Sequence, residues 1–99
     1  MRLTEQQKQI IRQVVTSLVG AEAQVMLFGS RLDDEEKGGD IDLLVTCQED
    51  VFHPAQLSAK ISSQLTRQLQ GRSVDVLLVA PNLKRLPIHV IAQNNGVVL

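Results

Sequence analysis

Two short apolar segments, each with an aspartate near its start, constrain the fold most. Residues 41–46 and 74–79 are rich in valine and leucine, a composition typical of β-strands. Successive side chains of a strand point to opposite faces, so Asp40 and Asp42 share one face while Ile41 lies on the other. At about 3.3 Å per residue, the Cα atoms of the two aspartates are roughly 6–7 Å apart. Both carboxylates can therefore bind one cation.

A third carboxylate, Asp75, lies near the start of the second apolar segment. An aspartate at the edge of a strand is also ordinary turn chemistry. If the two strands are neighbours, however, three carboxylates cluster, and each pair about 5 Å apart repels by roughly 3 kcal/mol at an effective dielectric constant near 20. Such a cluster requires a cation or the protonation of one acid.

A glycine and a serine follow another apolar segment. Residues 24–28 are predicted to form a short buried strand that runs into Gly29 and Ser30. A turn of this kind offers backbone N–H groups and a hydroxyl to phosphate oxygens, although Gly-Ser alone is a common turn. Together with the aspartates, the turn is suited to a metal-bound triphosphate.

The remaining pattern alternates helices and strands. A capping box at Thr4 starts a helix that stops near Gly20, and a second helix runs from Pro54 to Gly71. A short helix is predicted at about 87–93, followed by an edge strand at 97–99. The sequence therefore predicts an α/β (α+β) fold, a small mixed sheet flanked by helices, in a single domain spanning residues 1–99.

Composition limits the classes of function. No apolar run approaches the roughly 20 residues that span a membrane, and the first residues do not resemble a signal peptide. Cys47 is the only cysteine, which excludes an internal disulfide and fits the cytoplasm, and it is interpreted as a buried small hydrophobic residue. The net charge of −1 and the scarcity of aromatic residues indicate no direct binding of nucleic acid. The sequence leaves homo- and hetero-oligomers open.

Three segments carry a resemblance to a known family. Leu27–Arg31, Gly39–Val45 and Val74–Val76 resemble the minimal nucleotidyltransferases of the DNA polymerase beta-like superfamily, and the resemblance covers essentially the whole chain. It implies a nucleotidyltransferase fold and the transfer of a nucleoside monophosphate from a nucleotide such as ATP, with release of pyrophosphate.

The resemblance also implies roles for individual residues. Asp40 and Asp42 would bind the two Mg²⁺ ions that bridge the nucleotide phosphates. Asp75 would be the third catalytic acid and metal ligand, and would help to activate the attacking hydroxyl. Gly29 and Ser30 would hold the β- and γ-phosphates.

The segment between Ser30 and Asp40 departs from the family pattern. Its nine residues are one fewer than the commoner spacing, and Leu32–Glu36 replaces a frequent arginine-glycine pair. Arg31 is therefore predicted to contact phosphate. The four acids at 33–36 are interpreted as a solvated loop rather than as ligands.

The acceptor is expected to be a separate protein, because larger members of the superfamily carry an acceptor-binding domain for which this chain has no room. The resemblance points to a separately encoded helical HEPN protein, an RNase toxin that the nucleotidyltransferase, as antitoxin, adenylylates on tyrosine. The chain itself contains no tyrosine. The alternative is a weakly active or inactive module that neutralises its partner by binding. Receiver and glycosyltransferase domains also place acids at strand ends, but they are longer.

Overall fold

The computed structural model describes residues 3–28, 41–84 and 97–99, which form helices and strands in alternation. In chain order the elements are helix α1 (Glu5–Leu18), strands β1 (Gln24–Phe28) and β2 (Ile41–Thr46), helix α2 (Pro54–Gln68), and strands β3 (Val74–Val79) and β4 (Val97–Val98). The three predicted internal strands are confirmed to the residue. The helix predicted at 87–93 lies outside the described residues.

The four strands form one mixed sheet in the order β3-β2-β1-β4. β1 is antiparallel to both β2 and β4, whereas β2 and β3 are parallel. The predicted terminal edge strand is confirmed, since Val97 and Val98 pair with β1 and the Leu99 N–H donates to the Val25 carbonyl at 2.9 Å. The sheet and its helices confirm the predicted α/β class.

Both described helices bury an apolar stripe in a single core. In α1 the buried residues are Ile11, Val14 and Val15, and in α2 they are Ile61 and Leu65. They form one apolar cluster with alternate residues of the strands, which in β2 are Ile41, Leu43 and Val45. Burial of these stripes stabilises the fold by about 1.5–3 kcal/mol per large side chain.

The helix termini follow the sequence signals. At the start of α1, the Thr4 hydroxyl accepts a hydrogen bond from the Gln7 N–H at 3.1 Å, and the Gln7 side chain accepts one from the Thr4 N–H at 2.8 Å, which confirms the capping box. At the end of α2, the Gly71 N–H donates to the Thr66 carbonyl at 2.8 Å. Gln70, with φ +61°, occupies the left-handed position of this Schellman motif.

β2 lies between β3 and β1 in the sheet, and its central residues are buried on both faces. Leu43, Leu44 and Val45 are all fully buried, although Leu44 points away from the core side of the sheet. Asp42, the second residue of β2, and Thr46, the last, are half-buried instead. No helix in the described ranges is long and apolar enough to span a membrane.

Candidate functional site

Two of the three predicted acids lie side by side at one end of the sheet. Asp42 in β2 and Asp75 in β3 are paired directly across the parallel ladder, and neighbouring strands are about 4.8 Å apart. Their neighbours in sequence, Ile41 and Val74, are buried in the core, so both carboxylates project from the opposite face of the sheet. Asp42 is half-buried and Asp75 is exposed.

The register that pairs the two acids is fixed by hydrogen bonds at both ends of the ladder. The Ile41 N–H donates to the Ser73 carbonyl at 2.9 Å, and the Cys47 N–H donates to the Val79 carbonyl at 2.7 Å. A slip by one residue would turn Asp75 into the core and expose the valines beside it. Core packing therefore specifies the pairing of the acids.

The end of β1 lies at the same end of the sheet. Phe28, its last residue, is paired with Asp42 in the antiparallel ladder. Gly29, Ser30 and Arg31 follow Phe28 in the sequence, and Asp40 precedes Ile41. These four predicted site residues lie outside the described residues, so their roles remain predictions.

The pair of acids has the chemistry of a divalent-cation site. Carboxylate oxygens are the ligands that Mg²⁺ prefers in proteins. Within the described ranges, no group of three or more His, Cys, Asp or Glu side chains could hold a metal ion. Among the described residues, Asp42 and Asp75 therefore supply two carboxylates of the ligand type that Mg²⁺ prefers, without a third.

At the opposite end of β2, the structure contains a feature that sequence reasoning missed. The Asn82 side chain makes two hydrogen bonds to the backbone of Val51, accepting from its N–H at 2.9 Å and donating to its carbonyl at 2.8 Å. This clamp holds the loop that carries Phe52, whose side chain is 80% exposed. No local sequence pattern predicts a contact across 31 positions.

Cys47 lies between two cavities at this end. The two cavities have volumes of about 370 and 430 Å³. Besides Cys47, the end of β3 and the residues that follow it, such as Ala80 and Pro81, line the smaller cavity. Burial raises the pKa of the Cys47 thiol, which is only 5% exposed. The prediction of a buried small hydrophobic residue is confirmed.

The mixed four-stranded sheet with its helices, and with two neighbouring carboxylates at the start of the parallel strands, is consistent with a nucleotidyltransferase fold. The family model described as "Polymerase beta, Nucleotidyltransferase" matches residues 8–99 of the chain. The chain belongs to this family, which makes it a nucleotidyltransferase in general and confirms the resemblance at the level of the superfamily. A comparison with curated proteins found no match.

Proposed function

We propose that the chain is a Mg²⁺-dependent nucleotidyltransferase that transfers AMP from ATP to a separate protein. The observation that carries the proposal is the direct pairing of Asp42 with Asp75 in a chain of the nucleotidyltransferase family. Because the sequence resembles the minimal nucleotidyltransferases, we infer that the chain is an antitoxin that adenylylates a helical HEPN-type RNase toxin. It would act as a single domain in the cytoplasm.

Three aspartates would hold the metal in this proposal. Asp42 and Asp75 are supported by their register, and Asp40 by its alternation with Ile41 in the sequence. Magnesium, when bound, would neutralise phosphate charge and favour loss of the proton from the acceptor hydroxyl. The triphosphate would be held by Gly29, Ser30 and Arg31.

The position of β1 supports that assignment of the phosphate site. Phe28, which immediately precedes Gly29 in the sequence, is the residue that pairs with Asp42. A turn that starts here starts beside the acid pair, and backbone N–H groups in such turns bind phosphate oxygens.

The proposed reaction is a displacement at the α-phosphorus of ATP. The acceptor hydroxyl oxygen forms a bond to this phosphorus, and the bond from the phosphorus to the oxygen bridging the α- and β-phosphates breaks. Pyrophosphate leaves with that electron pair, and the exposed carboxylate of Asp75 accepts the hydroxyl proton. The result is a phosphodiester between AMP and the acceptor.

The test uses ATP labelled at either the α- or the γ-phosphate, Mg²⁺, and the protein encoded by the adjacent reading frame. We expect the partner to acquire label from α-labelled ATP only, and Asp42→Asn and Asp75→Asn to reduce labelling at least about a hundredfold. Asp50→Asn, an exposed acid far from the pair, is the control. An unlabelled partner, or full labelling by Asp42→Asn, would overturn the proposal.

A binding module is the second candidate. The acidic segment Leu32–Glu36 favours it, because an arginine-glycine pair is frequent at this place in the minimal nucleotidyltransferases that the sequence resembles. In this case the chain neutralises its partner by covering the partner's active surface. Neutralisation that survives the double variant Asp40→Asn, Asp42→Asn would support binding over catalysis. Loss of neutralisation, with the complex still formed, would support catalysis.

A further inference from the structure

We propose that the outer edge of β3 binds an extended segment of the acceptor protein as an added antiparallel strand, which places the acceptor hydroxyl opposite Asp75. The outer edge is the side of β3 that faces away from β2. The inference rests on the proposed nucleotidyl transfer, since it specifies how the acceptor reaches the acid pair.

The ladder with β2 determines which backbone groups of β3 face outward. The Ile41 N–H donates to the Ser73 carbonyl, and the parallel register continues from this bond. In such a ladder alternate residues face the neighbouring strand, here residues 73, 75, 77 and 79. Val74, Val76 and Leu78 therefore direct their N–H and C=O groups away from β2.

Among the described residues, one of the three outward carbonyls already has a hydrogen-bond partner. The Val74 carbonyl accepts a hydrogen bond from the Ser62 hydroxyl of α2. In the part of the chain that the structure describes, no hydrogen bond reaches the outward groups of Val76 or Leu78. β3 also contains no proline or lysine that would prevent pairing. Two donors and two acceptors are thus available to an extended backbone.

An open cleft lies beside this unpaired edge. Its volume is about 310 Å³, and it is lined by residues 76–78 of β3, by the start of α2 including Pro54 and Ala55, and by Leu83 and Lys84. Lys84 is the only charged residue among the described residues of the lining. The cleft therefore fits small apolar side chains of a bound strand, with an acidic residue near Lys84.

Antiparallel pairing would bring the acceptor residue close to the acids. Val76 and Leu78 would form the hydrogen-bonded pairs, which leaves Asp75 and Leu77 in the non-hydrogen-bonded pairs, where Cα atoms are only about 4.5 Å apart. A side chain opposite Asp75 lies on the same face of the sheet as Asp75 and Asp42. A hydroxyl at that position would lie beside the acid pair.

The binding probe is an acetylated, amidated hexapeptide with the order glutamate, valine, leucine, valine, tyrosine, glycine. Its tyrosine is intended to lie opposite Asp75, and the valine before it opposite Val76. Because the protein contains no Tyr or Trp, the anisotropy of the peptide's tyrosine fluorescence reports binding directly. The measurement requires neither ATP nor Mg²⁺, so it is independent of the proposed reaction.

Val76→Pro removes the outward N–H of residue 76 without removing a hydrogen bond to β2. Val76→Ala is the matched control, because it also loses side-chain contacts but keeps the N–H. We expect the wild type and Val76→Ala to bind within about threefold of each other, and Val76→Pro to bind about tenfold more weakly. A peptide N-methylated at the valine before tyrosine should lose affinity to a similar extent, and this test needs no protein variant.

Equal affinity for the methylated and unmethylated peptides, or no saturable binding, would overturn the proposal. A wild-type dimer that Val76→Pro converts to a monomer in sedimentation would also overturn it, because the edge would then belong to a second copy. Peptide that binds without acquiring AMP would contradict the proposed function but leave the docking intact. A partner adenylylated equally by wild type and Val76→Pro would contradict the docking alone.

Discussion

Asp42 and Asp75 are direct neighbours in the parallel ladder between β2 and β3, a central and an outer strand of the sheet. Two carboxylates so placed repel each other when no cation lies between them. Because Asp75 is exposed, water screens this repulsion. For charges about 5 Å apart, the repulsion energy is then about 1 kcal/mol rather than about 3 kcal/mol. Their mutual repulsion therefore opposes folding of the cation-free protein, and a bound cation would relieve it.

Replacing one acid of the pair should stabilise the metal-free protein. We expect Asp75→Asn to raise the free energy of unfolding by about 1 kcal/mol at low salt, and by less in about 1 M salt, where charges are screened beyond roughly 3 Å. Urea denaturation in the presence of a chelator measures the change. The control, Asp50→Asn, should change stability by less than about 0.5 kcal/mol. Equal gains in the two variants would show that the paired register is irrelevant.

The left-handed residue at the end of α2 offers a stabilising substitution. Gln70 has φ +61°, a conformation in which a side chain is strained, whereas glycine adopts it freely. We expect Gln70→Gly to raise the free energy of unfolding by about 0.5–1 kcal/mol, after allowing for the greater flexibility of the unfolded chain. Gln68→Gly, within the last helical turn, should instead lower it. Destabilisation by Gln70→Gly in thermal melts would contradict this geometry.

Two substitutions of Asn82 can separate the contributions of the two hydrogen bonds that join its side chain to the Val51 backbone. Asn82→Ala removes both hydrogen bonds and should lower the free energy of unfolding by about 1–2 kcal/mol, while Asn82→Asp keeps the acceptor for the Val51 N–H and loses only the donor to the Val51 carbonyl. Hydrogen exchange at the Val51 amide provides a local readout. Exchange should accelerate in Asn82→Ala and remain slow in Asn82→Asp. Unchanged exchange in both variants would contradict the clamp.

Cys47 should make stability depend on pH in the alkaline range. Burial raises the pKa of its thiol in the native state, so the folded protein keeps a proton that the unfolded chain releases. The contribution to stability is therefore fully present below the unfolded pKa of about 8.5 and is lost as pH rises through the higher native pKa. Between about pH 8 and pH 10, Cys47→Ala should lose less stability than the wild type in urea titrations. Identical losses would contradict the burial of the thiol.

The elements could be predicted from sequence because their signals are local. Short apolar runs predict the three internal strands, and the capping box at Thr4 predicts the start of α1. The sequence predicts that Asp42 and Asp75 cluster only on the condition that their two strands are neighbours, and sequence alone does not show which strands are neighbours. The structure meets that condition through the β2–α2–β3 connection and a register fixed by core residues on both strands.

Contacts between residues far apart in the chain could not be predicted from sequence patterns. The Asn82 clamp joins positions 31 residues apart, and the unpaired edge of β3 depends on the strand order of the sheet. The left-handed conformation of Gln70 was not predicted either, because glycine is the residue usually found there and the sequence places a glycine one position later, at Gly71. The roles predicted for Gly29, Ser30, Arg31 and Asp40 remain predictions from the family resemblance.

The central claim, that Asp42 and Asp75 bind a divalent cation, can be tested with Mn²⁺ in place of Mg²⁺. In proton–nitrogen NMR spectra of the labelled protein, the paramagnetic ion should broaden the amide signals of residues 41–43 and 74–76 first. Signals beyond Thr46, about 13 Å further along β2, should remain sharp, and Asp75→Asn should abolish the early broadening. Broadening that begins at the exposed acids Glu49 and Asp50, or that persists unchanged in Asp75→Asn, would contradict the claim.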